Sequence, residues 1–275
     1  MTWSLHVLLP CLDIYKMAIE TKYSIAETPQ TALTPVIEVV HVSKAFGDNV
    51  VLRDFNLTIY SGQNMVVMGK SGIGKTILIK CIIGLIKPDG GTLRVFGKDI
   101  SKLDHRELDQ LRMRIGFVFQ SSALYDSMTV RENLAFPLRR SHRKRMNENI
   151  ETLVREALKN VGLENTIDLM PSELSGGMRK RIGIARSLIL KPEIILYDEP
   201  TTGLDPITSE EITQLILDLQ QKYKTTSVII THDINLAKEA ANQIVFIKDG
   251  IAYSQGTFDE MTQNEDQDIN KFFKK

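Results

Sequence analysis

The sequence has little cysteine, no net charge and no long apolar segment. Only Cys11 and Cys81 are cysteines, and they stand far apart, which argues against a structural disulfide and favours a reducing cytoplasm. Lys plus Arg equals Asp plus Glu at 34 each, so no overall field attracts nucleic acid or an anionic membrane. No uninterrupted apolar run approaches the roughly 20 residues that a membrane-spanning helix needs. These absences favour a globular protein that does not itself insert into a membrane.

The first 34 residues differ in pattern from the rest of the chain. They show no sustained period and end in a Thr- and Pro-containing stretch, so we expect a flexible N-terminal extension over 1–34. An apolar part near the start lacks a cationic segment before it and is interrupted by His6, Pro10 and Asp13. This pattern argues against a secretory signal peptide.

Strand and helix patterns alternate from residue 35 onward. Apolar residues at period two predict strands between 36 and 59, and short apolar runs predict buried strands at 65–68, 194–197, 227–230 and 243–247. Apolar residues at helical spacing predict helices over 150–161 and 212–223. An apolar stretch predicts a further helix over 74–86, stopped by the turn residues Lys87, Pro88, Asp89, Gly90 and Gly91. The middle of the chain, about 100–190, is mainly helical in pattern. The sequence therefore predicts an α/β fold with a mostly parallel sheet and a helical subdomain.

A glycine-rich motif follows the predicted strand at 65–68. It matches the pattern G-x-x-x-x-G-K-[ST] and consists of Gly69, Lys70, Ser71, Gly72, Ile73, Gly74, Lys75 and Thr76. Glycines let backbone N–H groups turn inward on a polyphosphate, and the following helix adds its positive end. We expect Lys75 to reach the β- and γ-phosphates and the Thr76 hydroxyl to hold Mg²⁺. The motif predicts nucleotide binding without specifying which class of P-loop protein this is.

Two adjacent carboxylates, Asp198 and Glu199, follow the apolar strand at 194–197. By themselves they could form a solvated acidic turn before Pro200. Beside a phosphate-binding loop they acquire separate tasks, because ionised groups at the end of a buried strand need partners. We expect Asp198 to hold the Mg²⁺ shell and Glu199 to orient or deprotonate the attacking water.

His232 follows another apolar strand, at 227–230. A lone histidine is more often a structural residue than a catalytic one. A polar side chain at the carboxyl end of a strand, however, faces the ligand crevice of an open α/β sheet. This position makes His232 a candidate contact for the γ-phosphate.

The motifs, taken in order, resemble those of ABC ATPases. Leu174, Ser175, Gly176, Gly177 and Met178 resemble the family's signature, although the usual last residue is Gln. Further matches are Phe46 to the aromatic residue that stacks on adenine, Gln120 to the glutamine that reports on Mg²⁺ and the transmembrane partner, Leu204 and Asp205 to the loop at the dimer interface, and His232 to the switch histidine. The resemblance covers about residues 35–262, and we interpret the site as active despite Met178.

The resemblance implies a fold, two ligands and a second copy of the chain. The fold is the P-loop ATPase type, with a RecA-like, mostly parallel sheet, an antiparallel β part and a helical subdomain. The ligands are ATP and Mg²⁺, the metal being held by Thr76, Gln120 and Asp198. Ser175, Gly176 and Gly177 cap the nucleotide bound by the opposite subunit, so that two ATP are enclosed between two chains. Hydrolysis is led by Glu199 with His232, Gln120 and Lys75.

The stretch 119–139 and the ending at 268–273 resemble more narrowly the ATPase of Mla-type transporters. That resemblance implies phospholipid transport across the bacterial envelope, with integral-membrane permease subunits and an MCE-domain lipid-binding protein as partners. The chain itself is then cytoplasmic and peripheral on the inner face of the membrane. The alternatives are another importer ATPase, of the amino acid or methionine type, and a non-transport ABC ATPase.

The non-transport alternative is weakened by the spacing of the motifs. Lys75 and Ser175 lie 100 positions apart with no sustained heptads between them, so the long coiled-coil arms of ABC proteins that act on DNA are absent from the pattern. The cationic run at 139–145 has no aromatic residues among its bases, which argues against base stacking. We expect no nucleic-acid partner, an ATPase domain over 35–262 and a C-terminal tail over 263–275.

Overall fold

The computed structural model describes residues 34–70, 72–140 and 149–273. Residues 1–33 of the extension expected over 1–34, and Ser71 of the glycine-rich motif, lie outside the described residues. The strands are β1 (Pro35–Phe46), β2 (Asn49–Tyr60), β3 (Asn64–Gly69), β4 (Gly90–Val95), β5 (Lys98–Asp99), β6 (Ile115–Val118), β7 (Ile194–Asp198), β8 (Thr226–Ile230), β9 (Gln243–Lys248) and β10 (Ile251–Gly256). The helices are α1 (Lys75–Ile82), α2 (His105–Arg112), α3 (Val130–Arg140), α4 (Ile150–Asn160), α5 (Gly176–Leu188), α6 (Pro206–Tyr223), α7 (Ile234–Ala240), α8 (Phe258–Gln263) and α9 (Gln267–Phe273).

The strands form two sheets. The first is antiparallel, in the order β2-β1-β4-β5. The second has six strands in the order β10-β9-β3-β8-β7-β6, and its strands from β9 to β6 are parallel, whereas β10 runs antiparallel to β9. The mixed α/β architecture predicted from the sequence is confirmed.

Strand β3 shows why the six-stranded sheet is buried on both faces. Successive side chains of a strand point to opposite faces. Met65 and Val67 accordingly belong to an apolar cluster shared with the antiparallel sheet and α1, whereas Val66 and Met68 belong to a second cluster shared with helices α3 to α9. This central position puts the end of β3, where the glycine-rich loop begins, in the middle of the sheet.

Helix α1 is shorter than the sequence predicted. The predicted range was 74–86, but the helix ends at Ile82. Gly84 adopts φ 68° and the Leu85 N–H donates to the Lys80 carbonyl at 2.8 Å, the geometry of a left-handed glycine terminating a helix. The stop signal is therefore Gly84 rather than Pro88.

The segment 100–190 contains a strand among its helices. α2, α3, α4 and α5 fall within it, and so does β6, which pairs in parallel with β7 at the edge of the main sheet. The predicted helix over 150–161 corresponds to α4, with Val154, Ala157 and Leu158 buried. Within the described ranges, no helix combines the length and apolar character that crossing a membrane requires.

The segment after 262 is packed rather than extended. α9 buries Ile269 and Phe273 in the same apolar cluster as Phe246 of β9. Asp268 on this helix pairs with Lys248 of β9 at 2.6 Å. A C-terminal tail was predicted over 263–275, whereas in the structure α9 contacts the core through apolar and ionic interactions.

Candidate active site

The loop after β3 requires glycine at two positions where neighbouring backbone comes close. Gly69 has φ 147°, and a Cβ there would lie 2.5 Å from the carbonyl oxygen of Ile247. Gly74 has φ 105°, and a Cβ there would lie 2.9 Å from the carbonyl oxygen of Val51. Residues with side chains rarely adopt such φ values and could not fit there. The backbone at both ends of the loop therefore requires glycine.

Lys75 lies at the first position of α1 and only 7 % of it is exposed. Its Nζ donates to the carbonyl oxygens of Gly69 at 2.8 Å and Lys70 at 3.1 Å. Burial lowers the pKa of Lys75, while the charges of Glu199 and Asp198 act in the opposite direction. A cation held under a glycine-rich loop at a helix N-terminus is suited to binding phosphate groups.

Thr76 contacts the first acid of the predicted pair. Its Oγ1 donates to Oδ1 of Asp198 at 3.1 Å. Asp198 ends β7 and is buried, which raises the pKa of its carboxyl group, while the hydrogen bond from Thr76 acts in the opposite direction. The predicted metal ligands Thr76 and Asp198 are thus in contact across 122 positions of sequence.

The oxygen atoms of Thr76 and Asp198 fit Mg²⁺. This ion prefers hard oxygen ligands and is commonly held by one or two carboxylates together with substrate phosphates and water. In the part of the chain that the structure describes, no group of three or more His, Cys, Asp or Glu side chains could hold a metal without such help.

Glu199 is held in an unusual backbone conformation. Its φ is 49°, and its N–H donates to the carbonyl of Ile230 at the end of β8, at 2.9 Å. Its Oε2 lies 2.7 Å from Nδ1 of His232 and accepts from the Thr202 hydroxyl at 3.2 Å. The Glu199 side chain is 14 % exposed and that of His232 is 62 % exposed. The Glu199 carboxylate is therefore largely enclosed by the protein, whereas the His232 imidazole faces solvent.

Lys75, Thr76, Glu199 and His232 line one open cleft, whereas Asp198 lies behind Thr76 and does not line it. Eight of the predicted site residues form its wall: Phe46, Gly72, Gly74, Lys75, Thr76, Gln120, Glu199 and His232. Four further residues that line the cleft were not predicted from the sequence: Val51, Ile77, Thr202 and Ile230. The Phe46 ring, 49 % exposed, stands at this cleft with the Lys44 ammonium 5.2 Å from its centroid. An exposed aromatic face beside a phosphate-binding loop is suited to stacking on a planar base.

Ser175, Gly176, Gly177 and Asp205 do not line this cleft. Ser175 caps α5 by accepting from the Met178 N–H at 3.2 Å, and Asp205 caps α6 through Thr208. The two helix starts adjoin each other, because a Cβ on Gly177 would lie 2.7 Å from Cγ2 of Thr208. Ser175, Gly176 and Asp205 are exposed.

Lys180 is a site residue that the sequence analysis missed. It lies on α5, is 6 % exposed, and its Nζ donates to the carbonyls of Gln120 at 2.6 Å and Glu199 at 3.3 Å. Burial lowers its pKa, and the charges of Glu199 and Asp198 act in the opposite direction. One feature of the sequence could have identified it: Lys180 stands four residues before Ile184, on a face of α5 that is otherwise apolar.

Residues 52–202 match the family model described as ABC transporter. The chain belongs to the ABC transporter family. The fold class and the family resemblance predicted from the sequence are thereby confirmed. The roles of the individual site residues remain predictions, because neither the family match nor the geometry tests them.

Several ABC relatives are similar over most of the chain. It is 38 % identical over 239 residues to the intermembrane phospholipid transport system ATP-binding protein MlaF of Haemophilus influenzae, covering 87 % of this chain and 90 % of that protein. It is 43 % identical over 202 residues to the probable ribonucleotide transport ATP-binding protein mkl of Mycobacterium tuberculosis, covering 74 % of this chain. The chain spans 56 % of the length of that mycobacterial relative. It is 39 % identical over 212 residues to the methionine import ATP-binding protein MetN of Clostridium tetani, covering 77 % of this chain and 66 % of that protein.

A solved ABC structure supports the same fold. The ATP-binding cassette MJ0796, in a dimeric post-hydrolysis state bound to ADP and Pi, superimposes with a TM-score of 0.72. The two sequences are 34 % identical, and the match covers 81 % of this chain and 98 % of that one.

Proposed function

We propose that this chain is the ATP-binding and ATP-hydrolysing subunit of an ABC transporter that moves phospholipids. The observation that carries the ATPase part is the contact of Glu199 with His232 in the same cleft as Lys75 and Thr76. A carboxylate beside a phosphate-binding loop can act on water, and a cleft of this kind positions that water against the terminal phosphate.

Each residue of the cleft takes one part of the reaction. The loop N–H groups and Lys75 bind the β- and γ-phosphates, and Phe46 stacks on adenine. Thr76, Asp198 and Gln120 would hold Mg²⁺, and the ion would supply positive charge against the phosphate oxygens. Glu199 orients the attacking water and accepts its proton as the bond from water to the γ-phosphorus forms and the bond to ADP breaks.

The proposal includes a second copy of the chain. Ser175, Gly176 and Gly177 stand outside the cleft of their own chain at the start of a 13-residue helix, with Ser175 and Gly176 exposed and Gly177 half-buried. N–H groups at such a helix start favour an anion. In the proposed dimer they close over the γ-phosphate bound by the partner, and Asp205, beside them, lies at the interface. The related cassette bound to ADP and Pi is dimeric, which supports this arrangement.

The proposal that the cargo is phospholipid rests on sequence similarity rather than on the chemistry of any residue in the cleft. The resemblance of 119–139 to Mla-type ATPases is supported by the match to MlaF over 87 % of this chain. The proposed partners are integral-membrane permease subunits and an MCE-domain lipid-binding protein, with the chain peripheral on the cytoplasmic face of the membrane. The match to MetN favours methionine import as the second candidate.

Purification of the native complex tests the two assignments together. The tagged chain, expressed from its own locus and extracted in mild detergent, is expected to carry a permease and an MCE-domain protein identified by mass spectrometry. An amino-acid permease in their place would overturn the lipid assignment and leave the ATPase assignment standing. ATP turnover of the wild type, absent in Glu199→Gln, tests the ATPase part separately.

A further inference from the structure

A buried ammonium group joins the loop of Gln120 to the backbone of Glu199. Lys180 Nζ donates to the Gln120 carbonyl at 2.6 Å and to the Glu199 carbonyl at 3.3 Å. Only 6 % of the residue is exposed. A buried charge is unfavourable unless it is hydrogen-bonded or paired, so a lysine here has a cost that these two carbonyls and the nearby carboxylates offset.

The backbone conformation of Glu199 requires stabilising contacts. A residue with a side chain at φ 49° is strained and persists only where its surroundings fix it. Its N–H is fixed by the Ile230 carbonyl, and its own carbonyl accepts from the Thr202 N–H at 3.3 Å. Lys180 supplies a third contact, the one with a full charge.

The loop that carries Gln120 packs on the same helix at three positions spaced three residues apart, Lys180, Gly183 and Arg186. Lys180 meets the Gln120 carbonyl, and Arg186 donates to the carbonyls of Ser122 at 3.0 Å and Ala123 at 2.9 Å. Between them, a Cβ on Gly183 would lie 3.1 Å from Cβ of Ser122, so the loop packs directly on the helix. Positions three apart share one face of a helix.

We propose that Lys180 is a positioning residue for ATP hydrolysis. Its ammonium group sets the backbones of Gln120 and Glu199 at fixed distances from α5, the helix that begins with Ser175 and Gly176. The inference rests on the proposed function, because it assigns Lys180 to the same reaction. It acts through Glu199 and Gln120, because Lys180 does not itself line the cleft.

Lys180→Met tests this in the full-length chain. Met matches the length of the lysine stem and removes the charge and its donors. We expect kcat to fall about tenfold or more, since small misplacements of a reacting group have effects of this size. ATP affinity, measured by titration with a fluorescent ATP analogue, is expected to stay within about twofold, because Lys75 and the loop are untouched. A modest fall in melting temperature is expected, because Met leaves the carbonyls of Gln120 and Glu199 without the Lys180 donor.

Arg181→Met is the matched control. Arg181 lies on the same helix but contacts Val161 and Glu211, away from the cleft. It is expected to keep wild-type kcat. If Lys180→Met does not fold, Lys180→Gln, which retains an N–H donor, is expected to show the same split with a smaller loss of kcat.

The outcomes separate this inference from the proposed function. Wild-type kcat in a folded Lys180 variant overturns the inference, as does a loss of ATP affinity and melting temperature that accounts for the whole loss of turnover. In either case the proposed function stands if wild type hydrolyses ATP and Glu199→Gln does not. An inactive wild type, or an active Glu199→Gln, overturns the proposed function instead.

Discussion

Oε2 of Glu199 lies 2.7 Å from Nδ1 of His232, although the two residues are 33 positions apart and follow different strands. β7 and β8 are adjacent and parallel, with Asp198 opposite Ile230, so the residues after each strand meet at the same edge of the sheet. This contact places a carboxylate and an imidazole together in the cleft that Gly72, Gly74 and Lys75 also line.

Glu199→Gln is expected to keep ATP binding and to lower turnover by about 10²-fold or more, because the amide can no longer accept the proton of the attacking water. The steady-state release of phosphate measures the rate. Size-exclusion chromatography with ATP is expected to show an accumulated dimer, since bound nucleotide is no longer consumed. Turnover equal to that of the wild type would show that Glu199 does not act on the attacking water.

His232→Ala is expected to lower turnover by about tenfold while leaving ATP affinity within about twofold, because it removes the group that orients the Glu199 carboxylate. Phosphate release and nucleotide titration measure the two quantities. His105→Ala, an exposed position at the start of α2, is the control and is expected to behave like the wild type. A rate equal to that of the control would mean that the Glu199 contact does not assist hydrolysis.

Lys75→Ala is expected to weaken ATP binding by about tenfold or more, because it removes the charge paired with the phosphates. Equilibrium titration with ATP and Mg²⁺ measures the affinity. Lys87→Ala, an exposed residue after α1, changes the net charge equally and is expected to leave the affinity unchanged. Nearly unchanged affinity in Lys75→Ala would count against the phosphate-binding role of the loop.

Much of the fold could be predicted because its signals are local. The apolar run at 65–68 with glycine after it identified β3 and the loop, and the helical spacing at 150–161 identified α4. The end of α1 was misplaced because Gly84, within an apolar stretch, was outweighed by the turn residues from Lys87 onward. The left-handed conformation of Gly84 became visible only in the structure.

The residues of the site were predictable to the extent that side chains carry the chemistry. The role of Lys180 could not be predicted, because it binds backbone carbonyls that lie 60 and 19 positions away. Every residue has a backbone carbonyl, so the sequence does not indicate which carbonyls a lysine will bind. The packing of α9 was hidden for a related reason. Phe273 is apolar wherever it lies, and its contacts with Phe246 and Phe258 depend on the path of the chain.

Phe273→Ala is expected to lower the free energy of unfolding by about 3 kcal/mol, the usual size for removing a buried aromatic ring. Urea denaturation followed by circular dichroism measures it. Lys271→Ala, exposed on the same helix, is the control and is expected to change little. Equal stability of the two variants would mean that α9 contributes nothing to the domain, as expected of a tail.

The measurement that tests the account most directly is turnover per chain across a dilution series, with the mass of the species followed by light scattering. The account assigns the closing of each nucleotide to Ser175, Gly176 and Gly177 of the opposite chain. It therefore predicts that turnover per chain falls together with the fraction of dimer and is nearly lost in the monomer. A monomer that hydrolyses ATP as fast per chain as the dimer would contradict it.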